Sequence, residues 1–110
     1  MIDYYFAAGT RKFLKEQEPV EEILRERIGY YERNQKEIDF WFVENPNFIT
    51  DLQKKHVLSN IQEPMAVIIS TNRVFINWIK LRIGYVFIGK FNSHDFVDIN
   101  LFKNVIYQKE

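Results

Sequence analysis

Cysteine is absent from this chain of 110 residues, and glycine, proline and methionine are scarce, with four, three and two copies. Without cysteine, the chain has no disulfides, no thiolate metal ligands and no cysteine nucleophile. Neither sign of charge is in excess, because 15 basic residues balance 15 acidic ones. A neutral chain has no general electrostatic attraction for nucleic acid or for anionic lipid.

Long apolar runs are missing as well, and no stretch approaches the roughly 18 residues that a membrane-spanning helix needs. The start of the chain, MIDYYFAAG, has neither the basic and apolar regions of a secretory signal nor the composition of a transit peptide. We therefore expect the protein to work in the compartment where it is made and to meet a membrane only through a partner. The length fits one domain, predicted at residues 1–91 and followed by a C-terminal tail at 92–110.

Aromatic residues are plentiful, at 16% of the chain, and the segment EIDFWFVE at 37–44 concentrates them. Alternation along a strand divides its side chains between two faces, Ile38, Phe40 and Phe42 on one and Asp39, Trp41 and Val43 on the other. Both faces are therefore largely apolar, whereas a strand in a small two-layer domain needs only one apolar face. Either this strand is buried on both sides, or one aromatic face contacts a partner.

The spacing of apolar and turn residues predicts helices interleaved with short strands. Strands are predicted at 2–8, 37–43 and 65–70, and helices at 11–17, 19–34 and 73–88. A competing interpretation ends the last helix earlier and places a fourth strand at 85–91. An irregular insert is expected at 48–60, and VIYQ near the end is a candidate edge strand. This order predicts an α+β fold, a small antiparallel sheet of three or four strands with helices packed on it in a split βαβ or ferredoxin-like plan.

Two of the predicted helices are amphipathic. The apolar stripe of the first comprises Val20, Ile23, Leu24, Ile28 and Tyr31, and Glu21 and Arg25 are spaced to pair on its outer side. The last helix has a core-facing stripe of Phe75, Ile79, Ile83 and Val86, opposite a polar stripe of Arg73, Asn77, Lys80 and Gly84. Both helices are therefore expected to pack one face on the sheet.

Residues for catalysis or metal binding form no recognisable pattern. The two histidines, His56 and His94, have no partner at metal-ligand spacing. The four glycines stand apart, so there is no phosphate-binding loop, and no nucleophile or kinase motif is present. We therefore expect no enzyme activity, no cofactor and no metal. Nucleic-acid binding is not expected either, because the central strand MAVIIS offers no aromatic side chain for base stacking and no basic patch accompanies the sheet.

The surplus of aromatic residues favours binding to another molecule instead. One interpretation is that the insert at 48–60 or the tail covers the second face of the strand at 37–43. The other is that an aromatic side chain flanked by charge stays exposed as an interaction site, for which Trp41 and Trp78 are candidates. Arg82 follows Trp78 by one helical turn, so its guanidinium either lies along the indole or is an ordinary solvated arginine.

Several runs together resemble one known family: EPVEEILRER, KEIDFW, ISTN, FINWIKLR and a following V..G.F. It is the conserved plastid and cyanobacterial open-reading-frame family that accompanies the Mg-protoporphyrin IX monomethyl ester oxidative cyclase, and the resemblance covers residues 4–91. The cyclase closes the isocyclic ring of a magnesium porphyrin with oxygen and a di-iron catalytic subunit. The resemblance implies a non-catalytic accessory protein of chlorophyll biosynthesis, a binding partner of that subunit which the cyclase needs to accumulate or to work.

The resemblance also implies contact residues, Asp39 and Phe40 of KEIDFW and Arg82 of WIKLR. We expect Phe40 to point outward, with Asp39 and Arg82 close enough to frame the exposed patch. The abundance of residues with AT-rich codons, such as Phe, Ile and Lys, fits a plastid-encoded protein. The expected location is the chloroplast stroma or the stromal side of the thylakoid membrane, or the cytoplasm of a cyanobacterium. The tail after Phe91 departs from the family pattern and inherits no role.

Two alternative functions stay open at this point. The protein could be a tetrapyrrole-binding carrier, because an aromatic and largely apolar cleft suits a flat ring. It could also be a small-molecule-binding regulatory domain, for which a defined pocket between protomers is the expected feature.

Overall fold

The structure is a computed structural model that describes residues 2–18, 20–44 and 64–92. In chain order the elements are β1 (Asp3–Thr10), a short π-helical segment (Phe13–Gln17), α1 (Val20–Arg33), β2 (Phe40–Val43), β3 (Met65–Ser70), α2 (Arg73–Ile83) and β4 (Phe87–Asn92). The predicted insert at 48–60, both histidines and the tail with its candidate edge strand lie outside the described residues. The domain boundary after residue 91 therefore stays a prediction.

The four strands form one sheet in the order β2-β3-β1-β4, and every neighbouring pair is antiparallel. Since β1 and β2 both run opposite to β3, they are parallel to each other, and α1 connects them. By the same reasoning β3 and β4 are parallel, with β1 between them and α2 as their connection. Two βαβ units are thus interleaved, which confirms the predicted α+β fold and its split βαβ plan.

β3 occupies an inner position in the sheet, between β2 and β1, and all six of its residues are buried. The prediction that MAVIIS is a central strand is therefore confirmed. Its one polar side chain, Ser70, donates a hydrogen bond of 2.8 Å to the Asp39 carbonyl and accepts one of 2.9 Å from the Asn72 N–H. These bonds satisfy the buried hydroxyl and hold the residue before β2 against the end of β3.

Two apolar clusters lie on the two faces of the sheet. One combines strand and helix side chains and includes Phe40, Phe42, Ile68, Leu24, Tyr31, Phe75, Ile76 and Ile79. The other consists of strand residues: Tyr4, Phe6, Ala8, Trp41, Val43, Met65, Val67, Ile69 and Phe91. All four residues of β2 are buried, so the aromatic segment is buried on both of its faces. The insert at 48–60 and the tail, one of which an interpretation of the sequence placed over the second face, lie outside the described residues.

α1 follows its predicted pattern closely. Val20, Leu24 and Tyr31 are buried, and Ile23 and Ile28 pack partly buried against the same cluster. On the outer side Arg25 forms the expected ion pair with Glu21. The short helical segment before α1 lies within the predicted range 11–17 but begins at Phe13, whose N–H donates a hydrogen bond of 3.1 Å to Thr10 Oγ1.

α2 ends at Ile83, so the predicted helix to residue 88 is wrong and the competing strand is the one that forms. Gly84 ends the helix with a φ of 80°, a conformation that favours glycine, while its N–H donates a hydrogen bond of 2.9 Å to the Lys80 carbonyl. The chain then enters β4, which pairs with β1 along its whole length. The run YVFIG suits either structure locally, and pairing with β1 decides between them.

Candidate protein-binding surface

α1 and α2 enclose an open groove with a volume of about 820 Å³. Eight residues of α1 line it together with Phe75 and Trp78 of α2. The Phe75 and Trp78 rings are stacked, with centroids 6.3 Å apart and an interplanar angle of 18°. Phe75 is buried and Trp78 is 46% exposed, so the aromatic floor of the groove reaches solvent through the indole.

Arg27 of α1 lies over this aromatic floor. Its guanidinium carbon is 3.8 Å from the centroid of the Phe75 ring, which is cation–π geometry. One helical turn further on, the Tyr31 hydroxyl accepts a hydrogen bond of 3.0 Å from Arg27 Nη2. Two independent contacts therefore hold the guanidinium in place at the side of the groove.

The Tyr31 hydroxyl in turn donates a hydrogen bond of 2.6 Å to Asp39 Oδ1. Burial of the ring is the largest influence on this group and raises the pKa of Tyr31 above its usual 10.0. The hydrogen bond to Asp39 and the charge of its carboxylate raise the pKa further, while Arg27 acts in the opposite direction. Arg27, Tyr31 and Asp39 thus form a polar chain from the groove to the residue before β2.

Phe40 is fully buried, so the expectation that it points outward is wrong. It lies on the helix-covered face of the sheet, with its ring centroid 5.6 Å from Tyr31 and 5.6 Å from Phe75. Asp39 and Phe40 nevertheless meet on one side, because the predicted strand at 37–43 joins the ladder only from Phe40 onward. The alternation of side chains along a strand therefore does not apply to Asp39. Its carboxylate reaches the Tyr31 hydroxyl, while the Phe40 ring contacts the Tyr31 ring.

Arg82 lies near the other end of α2. Its Nη1 is 3.3 Å from Glu18 Oε1, and its side chain is 53% exposed. The interpretation in which it lies along the Trp78 indole is therefore wrong, and the solvated alternative fits. The Asp39 carbonyl accepts a hydrogen bond from the Thr71 N–H just before α2. Arg82 is nine residues beyond Arg73, the first residue of α2, which at about 1.5 Å per residue is roughly 14 Å along the helix axis. The two residues do not frame one compact patch but stand at opposite ends of α2.

The two tryptophans lie on opposite sides of the sheet. Trp41 belongs to the cluster of strand residues, where it is 9% exposed and packs edge-on against Tyr4 at a centroid distance of 6.4 Å. Trp78 belongs to the groove between the helices. The structure therefore brings Trp78, but not Trp41, to the surface that carries Arg27 and Asp39.

Exposed apolar side chains form a further stripe on α2 that the sequence analysis missed. This apolar stripe consists of Val74, Trp78, Leu81 and, just past the helix end, Tyr85. Its members are 75%, 46%, 85% and 86% exposed. Their spacing of four, three and four residues is that of the polar stripe, displaced by one position. That repetition was readable in the sequence, whereas the stacking of Arg27 on Phe75 depends on how α1 and α2 meet.

No group of three or more His, Asp or Glu side chains that could hold a metal ion occurs among the described residues. Within the same ranges, neither helix has the length and apolar character that crossing a membrane requires.

Fold and surface together define a small α+β domain of the split βαβ class that presents a groove of aromatic and arginine side chains to solvent. The chain belongs to the Ycf54 family, since the family described as Ycf54 protein matches residues 2–93. It is 50% identical over 93 residues to a ycf54 protein of Porphyra purpurea, an alignment covering 84% of this chain and 86% of that one. The Ycf54-like protein of Synechocystis is 43% identical, with 84% and 70% covered.

Solved structures of the family agree with the fold. The crystal structure of the Ycf54 protein from Thermosynechococcus elongatus matches with a TM-score of 0.79 and 44% identity, covering 87% of this chain and 90% of that one. A chloroplastic YCF54 protein of Arabidopsis thaliana is 32% identical over 91 residues, which are 82% of this chain and 42% of that protein. Family members thus occur in chloroplasts and in cyanobacteria.

Proposed function

We propose that the protein is a non-catalytic accessory or assembly factor that binds the Mg-protoporphyrin IX monomethyl ester oxidative cyclase during formation of the isocyclic ring of chlorophyll. Its partner is the di-iron catalytic subunit, and it acts in the chloroplast stroma, at the stromal side of the thylakoid membrane, or in the cytoplasm of a cyanobacterium. The observation that carries the proposal is the exposed groove between α1 and α2, in which Arg27 lies over Phe75 beside the half-exposed Trp78.

The composition of this groove supports a role in binding a protein. Exposed apolar surface rimmed by charge is typical of interfaces, and tryptophan and arginine supply much of the binding energy there. Arg27 is already held by the Phe75 ring and by the Tyr31 hydroxyl. Less side-chain freedom is then lost when a partner binds, which favours affinity.

In this proposal the residues implied by the family resemblance and the two candidate tryptophans have different roles. Asp39 and Arg82 are partly or largely exposed and serve as contacts at the two ends of α2. Trp78 serves as a contact in the groove itself. Phe40 acts from beneath by supporting the Tyr31 and Phe75 rings. Trp41 takes no part, because it is nearly buried among the strand residues of the other face.

Co-purification tests the proposal directly. A tagged copy of the whole chain is expressed in the phototroph, and membranes solubilised in mild detergent are passed over the affinity resin. We expect the catalytic subunit of the cyclase to be retained. Its absence from the eluate, with the tagged protein folded and recovered, would overturn the proposed function.

Variants at exposed residues locate the contact with the cyclase in the same co-purification experiment. Trp78→Ala and Arg82→Ala should each reduce the retained cyclase. Arg11→Ala is the matched control for Arg82→Ala, because Arg11 is also an exposed arginine in a surface ion pair, with Glu44 at 3.2 Å, but belongs neither to α2 nor to the groove. Equal loss in the control and in the two test variants would contradict the assignment of the surface.

A tetrapyrrole carrier is the second candidate, because the same groove has an aromatic floor and three arginines, Arg25, Arg27 and Arg33, in its lining. A flat ring with carboxylate substituents suits such a site. Titration of the purified protein with the Mg-porphyrin substrate separates the two functions. Saturable quenching of tryptophan fluorescence that Trp78→Phe abolishes favours a carrier, and the absence of binding favours the accessory factor.

A further inference from the structure

The apolar stripe of α2 has the dimensions of a helix-binding site. From Val74 to Leu81 the stripe extends for seven steps of helical rise, or roughly 10 Å at about 1.5 Å per residue, and Tyr85 follows just past the helix end. Within α2 the spacing of four and three residues between Val74, Trp78 and Leu81 is the spacing with which an amphipathic helix presents one face. On one side it continues into the groove, where Trp78 belongs to both surfaces. A partner helix lying along α2 would therefore cover the stripe and the edge of the groove together.

All the charged side chains of α2, the helix that carries the apolar stripe, are positive. α2 contains Arg73, Lys80 and Arg82 and no acidic residue. Arg82 is paired with Glu18, but the Lys80 ammonium donates its hydrogen bonds to the carbonyls of Gly84 and Val86, at 2.7 and 2.8 Å, so its charge is not neutralised by those contacts. The apolar stripe is thus accompanied by cations along the same helix.

This charge distribution disfavours a second copy of the chain as the occupant. A two-fold dimer through the stripe would place α2 against α2, each helix carrying three cations and no anion. Like charges brought together across an interface are costly, whereas opposite charges select the partner and its register. The geometry fits a different helix, one whose apolar face is flanked by acidic residues.

We infer that the stripe of Val74, Trp78, Leu81 and Tyr85 is the docking site for an amphipathic helix with acidic flanking residues in the partner protein. The inference deepens the proposed function and rests on it, because the helix belongs to the catalytic subunit of the cyclase. It adds three contact residues, Val74, Leu81 and Tyr85, and it specifies the chemistry of the segment that they bind.

Two synthetic peptides test the chemistry with the full-length protein. Both have the same apolar positions at helical spacing, and they differ in carrying either glutamate or lysine at the flanking positions. Fluorescence anisotropy of the labelled peptides should show that the glutamate peptide binds about tenfold more tightly than the lysine peptide at low salt, with the difference reduced at high salt. Equal affinity for the two peptides, or binding of neither, overturns the inference.

Two variants of α2 test the location. Leu81→Ser removes the most exposed apolar side chain within the helix and should raise the Kd for the glutamate peptide about tenfold. Asn77→Ser is the matched control, because it places the same new side chain on the polar stripe of the same helix and should leave the Kd unchanged. Thermal unfolding of both variants confirms that they are folded. Wild-type affinity in Leu81→Ser overturns the inference, as does a wild-type dimer in sedimentation that this substitution dissociates.

The same pair of variants separates this inference from the proposed function. If the wild type retains the cyclase and Leu81→Ser retains it equally well, the docking site is wrong and the proposed function stands. If the wild type retains no cyclase but binds the glutamate peptide through the stripe, the proposed function is wrong and the docking site stands, with a different partner.

Discussion

The Tyr31 hydroxyl donates a hydrogen bond of 2.6 Å to Asp39 Oδ1, and this bond joins the last turns of α1 to the residue that precedes β2. The ring of the same tyrosine packs edge-on against Phe40. One side chain thus positions both neighbours in the sequence KEIDFW, the polar one through its hydroxyl and the apolar one through its ring. Substitutions of Tyr31 and Phe40 therefore distinguish the contribution of each side chain to stability from its contribution to binding a partner.

Tyr31→Phe should lower the free energy of unfolding by about 1–2 kcal/mol at neutral pH, because it removes a partly buried hydrogen bond to a charged group. Chemical denaturation measures the change. Tyr85→Phe is the control, since it removes a hydroxyl from an 86% exposed side chain and should have no measurable effect. An equal loss of stability in both variants would contradict the role assigned to the Tyr31 hydroxyl.

The stability gap between the wild type and Tyr31→Phe should also depend on pH. The folded protein holds the pKa of Tyr31 above its usual 10.0, chiefly through burial and then through Asp39, so the protonated hydroxyl is favoured in the native state. The contribution of the Tyr31 hydroxyl to the free energy of unfolding is fully present below its usual pKa, and it is lost as the pH rises through the raised pKa of the folded state. Denaturation curves recorded at increasing alkaline pH should therefore show the gap narrowing. A difference in the free energy of unfolding that increases at alkaline pH would contradict this explanation.

Phe40→Ala should lower the free energy of unfolding by about 3–5 kcal/mol, because it leaves a cavity beneath Tyr31 and Phe75. Phe40→Leu retains an apolar side chain and should cost less. If Phe40→Ala loses the cyclase because it unfolds while Phe40→Leu still binds it, the residue supports the surface without contacting the partner. A folded Phe40→Ala variant of near wild-type stability would contradict the buried position.

Arg82→Ala should change the free energy of unfolding by less than about 1 kcal/mol, because its ion pair with Glu18 joins two partly exposed side chains. Denaturation at low and at high salt measures this, and any small loss should be smaller at high salt. A large loss of stability would show that Arg82 is structural. With folding intact, reduced cyclase binding in this variant reports a lost contact.

Two glycine substitutions should have opposite effects on stability. In Gly89→Ala, the new Cβ would lie 2.5 Å from Cζ of the buried Phe6 ring, so the packing must shift at a cost of about 1–3 kcal/mol. In Gly29→Ala, the nearest atom is Nη1 of Arg33 at 3.3 Å, at the end of a flexible side chain. Alanine should then stabilise α1 by about 0.5–1 kcal/mol. Melting temperatures compare the two variants, and destabilisation by both would contradict the space seen at Gly29.

Periodicity in the sequence was sufficient for the helix faces and for the order of the elements. The stripe of α1 and the central position of β3 follow from local spacing of apolar residues, which is why both predictions are confirmed. The end of α2 did not follow from spacing, because Phe87 and Ile88 are compatible with helix and strand alike. There the pairing with β1, a strand almost eighty residues earlier in the chain, determines the structure.

The direction of Phe40 could not be obtained from alternation either. Alternation shows that Phe40 and Phe42 share a face, but it does not show which face the helices cover. That choice is made when α1 and α2 dock, and it buries Phe40 against Tyr31 and Phe75. The groove was unpredictable for the same reason, because it exists only where the two helices meet.

The order of strands in the sheet has a consequence for synthesis of the protein. β1 is the first strand to leave the ribosome, yet both of its neighbours, β3 and β4, come from later parts of the chain. Until Ser70 has emerged, β1 has free N–H and C=O groups on both edges, and until Asn92 has emerged one edge stays free. Such edges can pair with other chains. A product that stops before β4 would retain one such edge permanently, so completion of the last described strand protects the first.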